Sequence, residues 1–505
     1  MRLLFDFAAK RAELSPDALA FEEVETGRTL SFAQFNARAE AGASLLERSG
    51  VTPGDRVAVL CHNSTTFFEL LFACGKIEAI LVPLNWRQTL SELAPVLADC
   101  RARALLHDLA TAPLAQSLAE LAGLHCISFA EYDRSISNAV PPPRRDAAWP
   151  CDRIWYLLYT SGTTGRPKAV IQTVGMAMAN AINVQHATAL SAADRTVNFL
   201  PLFHTAGINL HTLPLFIAGG SNTVLSKFEI DPLLDMIAAD RVSVFFAVPT
   251  IYQALSQHPR FTEADLSRVR HWGCGGAPLA EKLIRLFLSK GVRVCNGMGM
   301  TETGPTVFLM NPERAAEKIG SVGKPQLLSE VRLVDVDGRD VADGEHGEIL
   351  FRGANITPGY YNNPEATDAA ITPDGWLRSG DIARRDGDGY YYIVDRIKDM
   401  YISGGENVYP AEVEAVLGSH PSVLEAAVIG VADARWGEVG HAAVRLRPAQ
   451  SLNEAELRAF ARGQLAAYRV PKYLTVVEDF PRTAAGKVQK HILRRSLTGE
   501  SKAPC

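Results

Sequence analysis

Cysteine is sparse in this chain and never clustered. Eight cysteines (Cys61, Cys74, Cys100, Cys126, Cys151, Cys274, Cys295, Cys505) are spread over 505 residues with no Cys-x-x-Cys pair. That excludes a cysteine zinc site or a disulfide framework and fits a reducing, cytoplasmic compartment. Basic runs are missing too. The net charge is −5, with Lys and Arg dispersed, so no nucleic-acid partner is expected. No apolar run reaches about 18 residues, so no integral membrane segment is expected. Segment 1–7 carries one basic residue and is broken by Asp6, which does not read as a signal peptide. Internal repeats and low-complexity tracts are also lacking.

What is present describes a globular protein of more than one core. Hydrophobic residues make up 47% and charged residues 21%, and a chain this long exceeds one ordinary core. Helical spacing of Phe32, Phe35, Ala39, Ala43 and Leu46 predicts a helix over 31–49. A buried strand follows at 56–61, a helix at 65–77 and a strand at 79–83. Strand patterns return at 196–201, 242–249, 269–274 and 292–296, with helices between. This alternation implies α/β architecture with doubly wound parallel sheets. Pro141, Pro142 and Pro143 mark a linker.

Near residue 320 the pattern changes to short strands (331–334, 348–351, 390–394) and Asp-Gly turns, which predicts a β-rich subdomain resembling a distorted barrel. From 411 onward the chain reads α+β, enough for a small separate domain. It has helices at 411–417 and 455–468, a strand at 424–431, and Asn453 with Glu456 as a capping pair.

Five stretches carry the chemistry. The first is Thr160-Ser161-Gly162-Thr163-Thr164-Gly165, followed by Lys168 and flanked by apolar strands. Glycine lets backbone N–H groups approach an anion and the hydroxyls add donors, so the loop suits a polyphosphate. It is not a Walker A loop, because Lys168 follows a proline and opens a strand rather than a helix. A surface hairpin is the plain alternative. The second stretch, Asn296-Gly297-Met298-Gly299-Met300-Thr301-Glu302-Thr303-Gly304, follows a strand ending at 295. Its lone acid suits Mg²⁺ on phosphates, or else the cap of the next element.

The third stretch, 376–381, places Asp381 at a strand end, ahead of Asp395-Arg396. A carboxylate there can accept ribose hydroxyls, or simply sit in a turn. The fourth, 398–407, holds Gly404-Gly405, either a functional close approach or a linker. The fifth, 481–487, ends in Gly486-Lys487, which alone would read as a solvated charge.

Together and in this order, these stretches resemble the adenylate-forming (ANL) superfamily, in its acyl-CoA synthetase branch. The likeness is to bacterial feruloyl-CoA and long-chain fatty acyl-CoA synthetases and covers nearly the whole chain. It implies a two-step reaction: a carboxylate and ATP give acyl-AMP and pyrophosphate, then CoA gives the thioester and AMP. Such a first step needs positioning and charge stabilisation rather than a nucleophilic side chain.

Carried over by motif, Thr160, Ser161, Gly162, Thr163, Thr164, Gly165 and Lys168 would hold the phosphates. Thr301 would contact the α-phosphate, and Glu302 with Thr164 would serve Mg²⁺. Gly275, Gly276, Ala277, Asn296, Gly297, Met298, Gly299, Met300 and Ile393 would surround the nucleotide. Asp381 would bind the ribose, with Arg396 beside it. Lys487 would bridge the carboxylate and α-phosphate.

The same likeness implies a hinge at 396–398, centred on Lys398. It would join a domain at 1–395 to a mobile one at 399–505, whose Ser403, Gly404, Gly405, Glu406 and Asn407 would serve the CoA step. The acyl pocket would be formed by His204, Thr205, Ala206, Val248, Gly275, Gly299, Pro305 and Val307, with His204 a gate or wall. It is largely apolar and has no acid to hold an α-amino group. That favours a hydrophobic carboxylic acid, aryl or phenylpropenoic first, then medium- or long-chain fatty. A carrier protein is the alternative acceptor to CoA. A monomer or homodimer is expected. Departures are Ala169 after Lys168, Met298 where an aromatic often stacks on adenine, and Ser379 before Gly380-Asp381.

Overall fold

The structure is a computed structural model that describes residues 2–137, 148–161, 167–482 and 488–498. The proline run at 141–143 lies outside the described residues.

Alternation dictates the first sheet. In the Arg56–Leu60 strand, Val57 and Val59 enter one core while Ala58 and Leu60 enter the other. Period-two side chains buried on both faces require helices on both faces. The Thr65–Lys76 helix, buried along its whole length and capped by the Ser64 hydroxyl, covers one side. Leu90–Cys100 and Ala112–Ala122 supply buried residues to the other core. The six strands run in the order Pro167–Thr173, Ile154–Ser161, Ile80–Leu84, Arg56–Leu60, Ala104–His107, His125–Ser128. All neighbours are parallel except the first pair, an antiparallel hairpin.

A second α/β layer follows. Val244–Ala247, His271–Cys274 and Val294–Met298 are parallel, and Phe308–Leu309 closes the set antiparallel. The Ser243 N–H donates to the Arg195 carbonyl at 2.9 Å. That ties this layer to the sheet of Arg195–Asn198, Ser221–Val224, Leu19–Glu23 and Arg28–Ser31. The β-rich part is an antiparallel meander of Ser329–Val334, Gly347–Gly353, Leu377–Arg385 and Tyr391–Arg396.

The C-terminal part is smaller. Five strands from Tyr401–Ser403 to Tyr473–Val476 pack with the Pro410–Ser419, Glu454–Arg462 and Lys490–Thr498 helices. Its two apolar cores contain no residue before Tyr401. The molecule is thus mixed α/β with a large N-terminal and a small C-terminal domain.

Several boundaries differ from expectation, and two of the differences have a clear local cause. The helix predicted over 455–468 stops at Arg462, because Gly463 weakens it; the expected Asn453–Glu456 capping box does form. The strand predicted to end at 295 runs to Met298, since Gly297 and Met298 still pair with Leu309 and Phe308. Among the described residues no helix is long and apolar enough to cross a membrane.

Candidate active site

Three strand ends and one loop build the site. In the first hairpin Lys168 lies opposite Thr160. The loop joining its strands lies outside the described residues, and with it the predicted phosphate contacts of Gly162, Thr163, Thr164 and Gly165 and the metal role of Thr164. Lys168 Nζ sits 5.3 Å from the centroid of the Tyr360 ring.

At the Val294–Met298 strand the backbone turns sharply into a short 3₁₀ turn at Thr301–Thr303. The turn is too close for any side chain at Gly299, where a Cβ would lie 1.7 Å from the Pro305 carbonyl oxygen. Thr303 fixes it: its hydroxyl accepts from Met300 N at 2.9 Å and donates to the Pro305 carbonyl at 2.9 Å. Asn355 Nδ2 adds bonds to the Thr303 and Thr306 carbonyls at 2.9 and 3.1 Å.

Glu302 is therefore held from several sides. Gln172 Nε2 donates to the Thr301 carbonyl at 2.8 Å, and Thr357 N donates to the Glu302 carbonyl at 2.8 Å. The Tyr360 hydroxyl donates to Glu302 Oε1 at 2.8 Å. Burial pushes the Glu302 carboxyl above the usual carboxylate range; the Tyr360 hydrogen bond and the Arg396 and Lys168 charges oppose that shift. A buried carboxylate short of positive charge invites a cation.

Asp381 is not at a strand end. It lies inside the Leu377–Arg385 strand, directly opposite Arg396. The correction has a simple cause: Gly380 and a register shift just after Ile382 let the strand continue through a segment that reads as a turn. Arg396 Nε donates to Asp381 Oδ1 at 2.8 Å, and Asp381 is buried. Ile393 is half-buried two pairs away, opposite Ala383.

Some of the predicted acyl-side residues lie close together. A Cβ on Gly275 would lie 3.1 Å from the Gly297 carbonyl oxygen, and one on Gly276 3.5 Å from Val248 Cγ1. Val307 N donates to the Met298 carbonyl at 3.0 Å, and Met310 N to that of Asn296 at 2.8 Å. Met298 and Met300 pack against the core of the β-rich part, and Ala277 is exposed. His204 occupies the position just before the short Thr205–Asn209 helix, its ring centroid 4.7 Å from that of Phe203.

The C-terminal candidates behave differently. Tyr401–Ser403 and Glu406–Val408 form a tight hairpin whose tip, Gly404-Gly405, has φ of +61° and +89°. Both glycines, Glu406 and Asn407 are exposed while Ser403 is buried, so the fourth stretch is a presented turn. Lys398 is exposed just after the Tyr391–Arg396 strand. Lys487 lies outside the described residues.

Sequence reasoning missed Tyr360, Gln172, Asn355 and Thr357. The signal was available in part: Thr357-Pro358-Gly359-Tyr360 is a polar, turn-forming stretch, and turn-borne aromatics are often functional. Gln172 sits in a strand and gives no such signal.

The donor set fits the groups that an ATP-using enzyme needs. Among the described residues no group of three or more His, Cys, Asp or Glu could cage a metal. Glu302 is a single buried carboxylate, the usual protein share for Mg²⁺ carried on phosphates.

Comparison with known proteins agrees. Residues 8–361 match the AMP-binding enzyme family, and residues 412–487 match the AMP-binding enzyme C-terminal domain. A feruloyl-CoA synthase from an Amycolatopsis species is 42% identical over 492 residues, covering 97% of this chain and 98% of that protein. An indoleacetate–CoA ligase from Aromatoleum aromaticum is 36% identical, over 97% and 98%. The crystal structure of ATP-bound MatB from Rhodopseudomonas palustris superposes with a TM-score of 0.91 at 31% identity, covering 97% of this chain and 98% of that one. With its two family segments in order and its buried Glu302 walled by Lys168, Tyr360 and Arg396, the chain belongs to the AMP-binding enzyme family.

Proposed function

We propose that this protein is an ATP-dependent acid–CoA ligase acting on an aryl or phenylpropenoic acid such as ferulate or coumarate. The convergence of Lys168, Glu302, Tyr360, Arg396 and Asp381 on one cleft carries the nucleotide half of this reading. The aromatic acids named in the feruloyl-CoA synthase and indoleacetate–CoA ligase relatives, together with the apolar glycine-lined slot, support the substrate class.

In the first step the acid's carboxylate oxygen attacks the α-phosphorus of ATP, and the bond to pyrophosphate breaks. Lys168 and the 160–165 loop hold the departing phosphates. Thr301 contacts the α-phosphate, and Asp381 takes the ribose hydroxyls with Arg396 beside it. Glu302 would hold Mg²⁺, which when bound would neutralise phosphate charge. Lys487 bridges the acid and the α-phosphate. No side chain forms a covalent bond, so the rate comes from placement and charge complementarity. In the second step the CoA thiolate attacks the acyl carbonyl and AMP leaves.

Domains at 1–395 and 399–505, turning about Lys398, let one site do both steps. Rotation exchanges Lys487 for the Ser403–Asn407 hairpin. A cytoplasmic site of action fits the free thiols at Cys61, Cys74, Cys100, Cys126, Cys151, Cys274 and Cys295.

The test is pyrophosphate release with ATP and Mg²⁺ against a panel of cinnamic, benzoic and fatty acids, followed by thioester formation with free CoA. Release of AMP with cinnamic acids and product with CoA alone is expected. ADP as product would rule out adenylation. Turnover of fatty acids only would move the protein to the fatty acyl ligases, and a need for a carrier protein would replace CoA.

A further inference from the structure

A small cavity of mixed polar and apolar lining reaches Ala206, one of the predicted acyl-pocket residues. It is lined by Thr196, Asn198, His211, Thr212, Ala206 and Phe246, with a few apolar neighbours. It has room for about one water-sized group. Ala206 and Phe246 line its side toward the predicted acyl pocket. The tip of the Phe246 ring reaches the slot's glycine wall, since a Cβ on Gly275 would lie 2.8 Å from Phe246 Cζ.

Most polar side chains around this cavity are already satisfied. Thr196 Oγ1 donates to the Val244 carbonyl at 3.0 Å. Asn198 Nδ2 donates to the Gly207 carbonyl at 2.7 Å and to Thr212 Oγ1 at 2.6 Å, while Asn198 Oδ1 accepts from Asn63 at 2.8 Å. His211 is the exception. It is only 5% exposed, and its Nδ1 is buried without a partner among the described residues. Its ring lies edge-on to Phe246 and to His271, each at 6.1 Å.

Native structures rarely leave a buried nitrogen unpaired, because the atom then bears its full desolvation penalty. Burial also holds the His211 imidazole neutral, with its pKa down at about 3. A neutral imidazole has one donor and one acceptor nitrogen. It pairs well with a hydroxyl, which is both donor and acceptor, and poorly with a carboxylate or a methyl group.

Resting on the aryl-acid reading above, we propose that this cavity receives a ring hydroxyl at the far end of the acyl group, with His211 as its hydrogen-bonding partner. The carboxylate end points to the nucleotide, the ring lies along the Gly275 wall, and the hydroxyl passes the edge of Phe246. His211 is then a specificity-determining residue: it selects a phenolic acid over its unsubstituted or O-methylated analogue.

The experiment compares kcat/KM for 4-hydroxycinnamate, 4-methoxycinnamate and cinnamate by pyrophosphate release. Wild type is expected to favour 4-hydroxycinnamate over both others by about 10- to 100-fold, the range set by leaving a buried polar group unpaired. In His211→Leu that preference should collapse toward one, and His211→Gln, which keeps a donor and an acceptor, should restore part of it. A wild-type preference near one would overturn the proposal and leave the cavity as a site for bound water only, whether or not the variants fold. So would an undiminished preference in His211→Leu. Turnover of all three cinnamates without discrimination refutes the role of His211 alone. Turnover of none of them refutes the phenylpropenoic reading, and this inference with it.

Discussion

The two halves of the candidate site are built on opposite principles. Around Glu302, backbone and side chain are fixed from separate parts of the chain: Gln172, Thr357, Tyr360 and Asn355 all bond to the 301–306 segment. The Gly404-Gly405 hairpin has the reverse character. Its tip is exposed, and hydrogen bonds from Gly404 N to the Trp436 carbonyl at 2.8 Å and from Ile402 N to Glu438 Oε2 at 3.0 Å tie it to its own domain. Charge stabilisation rewards a geometry that cannot relax, so the nucleotide wall is over-determined. A group needed for one step and absent for the other must ride on an element with little holding it to the site.

The largest break between the halves is expected at Lys487, the lysine proposed to act from the C-terminal part. Lys487→Ala should lower ATP–pyrophosphate exchange by about 100- to 1000-fold, the scale of losing one stabilising donor at the reacting centre. Thioester formation from supplied acyl-adenylate should stay within a few-fold of wild type. An equal loss of both steps would mean that the halves do not alternate.

Glu302→Gln probes the fixed half. Adenylation should fall by about 100-fold. Stability should move the other way. The Glu302 carboxyl binds its proton more tightly when folded, so its ionised form destabilises the fold once pH rises above the unfolded carboxylate range, and fully so above the raised folded value. Without nucleotide, Tm near pH 7 should therefore be higher for Glu302→Gln than for wild type, and Mg²⁺ with ATP should reverse the order. A lower Tm in the variant would show that Tyr360 and its neighbours already satisfy the carboxylate. Lys398→Pro is the milder cut. Adenylation should survive and the CoA step slow, as rapid-quench of the two half-reactions would report; an unaffected second step would remove the hinge.

Much of this was legible from residue pattern, for a physical reason. Strands buried on both faces, such as Arg56–Leu60, write themselves as unbroken apolar runs, and Ser31, Ser64 and Asn453 announce helix starts. Glycine-rich phosphate loops are local in sequence, so Lys168 and Glu302 could be named without coordinates. What was not legible depends on partners distant in the chain. Tyr360 matters because its strand-like bridge to Val170 carries it to Glu302. Asp381 reads as a turn residue because its opposite number, Arg396, is supplied by another strand. His211 gives no motif at all; only the cavity beside it and its unpaired nitrogen make it visible.

The smallest effect separates the halves by acid. His211 and His271 are buried neutral in the large domain, with pKa values near 3 and 4 against an unfolded value of 6.5. Burial leads in both, and the charge of Arg270 adds to it. Between about pH 4 and 6.5 the unfolded chain binds protons at these positions that the folded chain does not, so folding stability falls as pH drops through that window. In the C-terminal part His441 is less buried than these two and is lowered for the same first reason. Segment-resolved hydrogen exchange should therefore show the 244–274 strands losing protection between pH 7 and 5 more steeply than the 423–446 strands. His271→Leu should flatten the first slope at little cost at neutral pH, because neither of its ring nitrogens has a partner to lose. Equal slopes in the two regions, or an unchanged slope in the variant, would mean that the buried imidazoles take up protons without opening the fold.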